Sequence, residues 1–125
     1  MRHIQIPEPV TLLTVFDENK KNVIYDIKLL NKANVWSSPR WRDENKLDML
    51  FRIVDKFSAT KYVPGSWVSL TDEEYEIYSQ LATLKGEKLN PEMALEVMQI
   101  MKPILSAPHE LPAEEKKTEE ATQGN

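Results

Sequence analysis

The only imidazoles in the chain are His3 and His109, and they stand at opposite ends of it. Acid–base catalysis or metal ligation needs a histidine joined by a second group at helical or hairpin spacing, and neither has a histidine partner so placed. Ser37-Ser38 has no histidine nearby and no strand–turn–helix elbow, so nucleophilic catalysis is unsupported. The three glycines are single, and no loop offers the repeated backbone N–H groups that cradle phosphate. The carboxylate pairs Asp43/Glu44 and Glu73/Glu74 are sequence neighbours, which point apart on a helix. They fit better as partners of the dipole in a first helical turn. The absence of cysteine excludes thiolate nucleophiles, thiolate metal sites and disulfides. No catalytic residue, metal site or cofactor is expected, and the chain reads as a non-enzyme.

Recognition is better provided for. In Trp36-Ser37-Ser38-Pro39-Arg40-Trp41-Arg42 two indoles interleave with two guanidiniums in a proline-containing connection. Trp and Arg are the types enriched at protein-interface hot spots, and they also suit base stacking and phosphate contact. The plainer alternative is structural: Ser38 caps the next helix, Pro39 sits in its first turn, and the Arg stems cover Trp rings at the core edge. Lys32 and Lys46 flank the segment, but Asp43-Glu44 follows at once and weakens any phosphate track.

The last helix is the second candidate, carrying Met93, Leu95, Val97, Met98, Ile100 and Met101, then Ile104-Leu105. Met93, Val97, Met101 and Ile104 share one face, while Leu95 and Met98 turn toward another. A helix apolar on more than one side is either deeply buried or shared with a partner. Flexible thioethers suit adaptable contacts.

Several elements must position these groups. Val10–Phe16 is rich in β-branched and aromatic residues and reads as a strand. The polar cluster 17–22 turns it back into Val23-Ile24-Tyr25, which predicts a hairpin over about 10–25. Pro7 and Pro9 argue against an earlier central strand. Asp26 is placed to cap a short helix through Ile27, Leu29-Leu30 and Ala33. Asp43-Glu44 starts the next helix, with Leu47, Leu50-Phe51, Val54 and Phe57 on its buried face and Met49 and Ile53 widening the stripe. Pro64-Gly65 makes a turn before an extended Ser66–Leu70. Thr71 and Glu74 have the spacing of a capping box, with acidic Asp72, Glu73 and Glu74 in the first turn of a helix over about 72–84. Gly86 stands where that helix would stop. Asn90-Pro91 opens the last helix, which Pro103 ends or kinks.

At 125 residues, with 41% hydrophobic content, the chain has room for one self-supporting core. Residues 1–106 are expected to form a single α+β domain, a small antiparallel sheet of about three strands packed with about four helices. Residues 107–125 contain one Leu and no aromatic, with many Glu and Lys, and are expected to form a disordered acidic tail. The net charge of −4 is unevenly spread, +5 over residues 20–67 and −4 over 68–108, an asymmetry that can orient a partner. No apolar run is long enough for a signal peptide or a membrane span, so a soluble cytoplasmic protein is the expectation.

Ile6-Pro7-Glu8-Pro9-Val10-Thr11-Leu12, the Val68–Tyr75 junction and Leu89-Asn90-Pro91 frame a helical middle. In this layout the chain resembles small uncharacterised accessory proteins of tailed phages and prophages over roughly residues 4–105. The resemblance implies an accessory or virion-assembly factor acting in the host cytoplasm, and it carries over no functional residue. The expected function is non-catalytic protein binding or self-association through Trp36, Arg40, Trp41, Arg42, Met93, Val97, Met98 and Met101. A nucleic-acid-binding regulator using Trp36–Arg42 is the alternative.

Overall fold

A computed structural model of the chain describes residues 1–83 and 94–112. Among the described residues the fold is α+β, with two separate two-stranded antiparallel sheets and five α-helices. Strand β1 (Arg2–Gln5) pairs with β4 (Trp67–Leu70), placing Ile4 opposite Val68 and His3 opposite Ser69. Strand β2 (Val10–Phe16) pairs with β3 (Asn22–Tyr25) in the expected hairpin. Its turn is held by Asp17 Oδ1, which accepts from the N–H of Asn19 at 2.8 Å and of Lys21 at 3.0 Å.

Four strands in two sheets replace the three expected in one. A strand does precede Pro7, but it pairs with β4 alone and is not the central strand that the prolines argue against; the prolines lie beyond its end. Pro7 cannot donate to a ladder, but the ladder continues only to Ile6, whose N–H reaches Ser66 O at 2.8 Å and whose carbonyl accepts from Gly65 at 2.9 Å. The prolines turn the corner into β2.

Helix α1 (Ile27–Leu30) starts as expected at Asp26, whose Oδ1 accepts from Leu29 N at 2.9 Å. It runs on as a π-helical turn, Asn31–Trp36. A short α2 (Arg40–Asp43) follows, and α3 (Leu47–Ala59) begins later than Asp43-Glu44 predicted. Asn45 sits between them at φ 56°, a left-handed conformation that Asn tolerates and that breaks the helix. Asp43 and Glu44 therefore close α2 rather than open α3. On α3 the core takes Met49, Leu50, Ile53 and Phe57, and leaves Leu47 and Phe51 exposed. Both sets recur at helical period, and the packing uses the one rotated toward Ile53.

Thr71 begins α4 (Asp72–Ala82) with both bonds of the capping box: Glu74 N donates to Thr71 Oγ1 at 3.1 Å, and Thr71 N to Glu74 Oε1 at 2.9 Å. Helix α5 (Ala94–Leu105) continues through Pro103 instead of ending there. Ile4, Leu30, Ile53, Leu70, Tyr78 and Ile104, among others, meet in one core. The Gly86 stop, the Asn90-Pro91 helix start and Met93 lie outside the described residues.

The folded body extends past residue 106. Ala107 is buried, Arg2 Nη1 donates to its carbonyl at 2.8 Å, and His3 N donates to Pro108 O at 2.9 Å. Composition changes there, but the backbone carbonyls still satisfy donors along β1. The expected disordered stretch falls, from 113 on, outside the described residues. No helix among the described residues is long and apolar enough to cross a membrane.

Candidate functional site

The Trp36–Arg42 segment folds over the end of the π-helical turn, and its four candidates separate. Trp41 is 1% exposed, with its indole N–H donating to Val35 O at 2.7 Å. It is a core residue that only just reaches the surface. Arg40 is also committed: its Nε donates to Glu44, and its Nη1 to Gln80 Oε1 at 2.8 Å, tying α2 to α4. The Arg40 hydrogen bond is the main reason the Glu44 carboxyl is held below the usual range. Ser38 Oγ accepts from Arg40 N at 3.2 Å, but Pro39 rather than Ser38 stands at the N-cap of α2, one residue later than the structural alternative had it.

Trp36 and Arg42 remain available. Trp36 is half-buried, edge-on to Phe57 with ring centroids 5.9 Å apart. Arg42 is exposed. Together with Ser38, Pro39, Leu47 and Leu50 they line a half-open cleft of about 320 Å³. The cleft, to which Trp41 and Asp43 also contribute, joins an aromatic and aliphatic lining to one guanidinium and one carboxylate, and Leu47 and Phe51, one helical turn apart, carry exposed apolar surface along α3.

Helix α5 divides as its spacing foretold. Val97, Ile100, Met101 and Ile104 are buried in the core, so Val97 and Met101, expected at a partner surface, serve packing instead. The opposite side carries Leu95 at 80% exposure, with Met98, Lys102 and Leu105 also exposed. Met98 is thus the one described α5 candidate that faces outward.

Strand β2 packs against α5, and its hairpin adds apolar surface that sequence reasoning missed. Leu13 is 70% exposed, and Phe16 and Ile24 are exposed as well. The register of β2 against β3 shifts between Thr11 and Phe16. Such an irregularity re-aims side chains and blunts an edge. The run Val10–Phe16, with five apolar residues in seven and no strict alternation, was the available signal.

The two histidines line different clefts. His3 Nδ1 lies 2.7 Å from Ser69 Oγ across the β1–β4 ladder. His109 lines a separate polar cleft of about 330 Å³ with Arg2, Asp72, Tyr75 and Glu76. Among the described residues no three His, Asp or Glu side chains are placed to share a metal ion. No protein-family model, curated protein or solved structure matches this chain.

Proposed function

We propose that this is a non-catalytic protein-binding domain whose docking face is the outer side of α5 together with the adjoining β2–β3 hairpin. The observation that carries the reading is the exposure of Leu95, Met98 and Leu105 along a helix whose opposite face is in the core. An exposed apolar patch bordered by polar residues, here Lys102, is of the kind that marks interaction sites. In the phage accessory proteins that the sequence resembles, virion assembly or host takeover would be the setting.

The test is capture from lysate of the source cell by the wild-type chain and by Leu95→Asp, with circular dichroism to verify the fold. Selective loss of a captured protein with Leu95→Asp supports the reading; undiminished capture removes it. Nucleic acid is the weaker partner, because Arg40 and Trp41 are engaged within the fold and only Trp36 and Arg42 remain to serve it. Binding that falls steeply with salt and is lost with Arg42→Ala would reverse that order.

A further inference from the structure

The chain's arginines are Arg2, Arg40, Arg42 and Arg52. Arg2 donates to the Ala107 carbonyl, Arg40 to Glu44 and Gln80, and Arg52 to Glu74. Among the described residues Arg42 alone of the four has no partner. Its neighbour Asp43 is likewise exposed and unpaired, and both line the cleft of about 320 Å³ beside Trp36. A ligand therefore meets both charges without first breaking an ion pair.

Successive helical residues do not face one another, so these two charges answer different groups of a ligand. The guanidinium is a fork that matches a carboxylate, and the carboxylate accepts from an ammonium. Ser38, whose Oγ accepts from Arg40 N, keeps its own proton to donate. Trp36, Trp41, Leu47 and Leu50 give the cleft its apolar wall. The volume lies at the small end of the range for ligand pockets, about 300–1,000 Å³, and suits one compact molecule. The wall begins at Trp36, where the π-helical turn ends, and such turns are frequent at functional sites.

We infer that this cleft binds a free α-amino acid with an aromatic or branched aliphatic side chain. Arg42 takes the carboxylate, Asp43 the ammonium, and the wall of Trp36, Leu47 and Leu50 the side chain. The site is separate from the α5 face, and each stands or falls without the other.

Amide chemical-shift titration of the isotope-labelled full chain with L-phenylalanine should show saturable binding, with a Kd of about a millimolar or tighter. The Trp36 indole N–H should be among the signals that move. Hydrocinnamate lacks the ammonium and phenethylamine lacks the carboxylate, and each should bind about tenfold more weakly. Arg42→Ala should weaken phenylalanine and hydrocinnamate but not phenethylamine. Asp43→Asn should weaken phenylalanine and phenethylamine but not hydrocinnamate. Both side chains are exposed, so the spectra should show an intact fold; the ligand series on the native chain tests the site even where a variant misfolds. No saturation up to about 10 mM phenylalanine overturns the site, as does binding that survives both substitutions. Hydrocinnamate or phenethylamine binding as tightly as phenylalanine overturns the zwitterion as occupant. N-acetylphenylalaninamide binding as tightly overturns the free amino acid in favour of a side chain within a peptide.

Discussion

Lys56 Nζ donates to Glu74 Oε1 at 2.6 Å, joining the last turn of α3 to the first turn of α4. Glu74 is 2% exposed, and the same Oε1 accepts from Thr71 N while Oε2 faces Arg52 at 3.4 Å. One carboxylate thus completes a capping box and bridges two helices. Burial pushes its pKa up, but Lys56, the Thr71 N–H and Arg52 together hold it below its ordinary value of 4.5. A carboxyl depressed in the folded state stabilises above its unfolded pKa and loses that contribution as pH falls through the folded value. Stability should therefore drop below about pH 4.5, more steeply in the wild type than in Glu74→Gln. At neutral pH Glu74→Gln should cost about 1–2 kcal/mol, and Glu74→Ala, which also loses the cap, about 2–3. Urea unfolding at stepped pH measures both; an unchanged acid limb in Glu74→Gln would assign the pH dependence to other carboxyls.

Trp41 anchors the connection between the π-helical turn and α3. Its ring is in the core and its N–H takes the Val35 carbonyl at 2.7 Å. Trp41→Ala should destabilise by about 3–5 kcal/mol through the cavity it leaves. Trp41→Phe keeps much of the ring and should cost about 1–3 kcal/mol, for the volume it gives up and for the indole bond to the Val35 oxygen, which keeps the Ser38 N–H at 3.2 Å. Denaturant midpoints report both. A loss of partner capture by Trp41→Phe with no loss of stability would place Trp41 back at a surface.

What sequence could foresee was local. The Thr71–Glu74 box, the Asp26 cap and the hairpin turn at 17–22 depend on residues three or four apart, and each formed. The two faces of α5 were likewise visible in residue spacing. The orientation of α3 was not, because Leu47/Phe51 and Met49/Ile53 share one period and only tertiary packing chooses between them. Strand β1, with Arg2, His3 and Gln5 before two prolines, has little strand character of its own. It is held by β4 more than sixty residues away. Trp41 looked like an interface anchor because its acceptor is a backbone carbonyl at the end of a π-helical turn, which no side-chain pattern announces. The exposure of Leu13 and Phe16 was signalled only by the unalternating apolar run Val10–Phe16, in a strand that pairs with β3 alone.

Tyr78 offers an alkaline counterpart to Glu74. Its hydroxyl donates to Asn31 Oδ1 at 2.5 Å, with both residues fully buried. Burial raises its pKa well above 10, with Tyr62 adding to the rise. A group whose folded pKa is raised contributes fully below its unfolded value, and that contribution is lost as pH climbs. Stability should thus decline above about pH 10, and the decline should be shallower in Tyr78→Phe. That variant should also cost about 1–2 kcal/mol at neutral pH, because Asn31 Oδ1 loses its donor. Absorbance titration of the folded chain should find one tyrosine that ionises only with unfolding; four tyrosines titrating together before unfolding would contradict the buried Tyr78–Asn31 bond.

The end of α3 stores backbone strain that a single substitution should release. Lys61 and Tyr62 are consecutive left-handed residues, with φ of 54° and 56°. For a residue bearing Cβ this conformation costs about 1–2 kcal/mol. Tyr62 is held there by contacts: its ring stacks on Phe57 at 6.0 Å, Lys28 Nζ lies 5.9 Å from its centroid, and its N–H donates to Thr60 Oγ1 at 3.1 Å. Lys61 is exposed and carries the chain into that arrangement. Lys61→Gly should therefore stabilise by about 0.5–1 kcal/mol, the relief of strain exceeding the extra freedom glycine brings to the unfolded chain. Tyr62→Gly relieves the same strain but loses the ring, and should destabilise. If urea midpoints show Lys61→Gly to be destabilising, the lysine side chain supports the turn and the strain account fails.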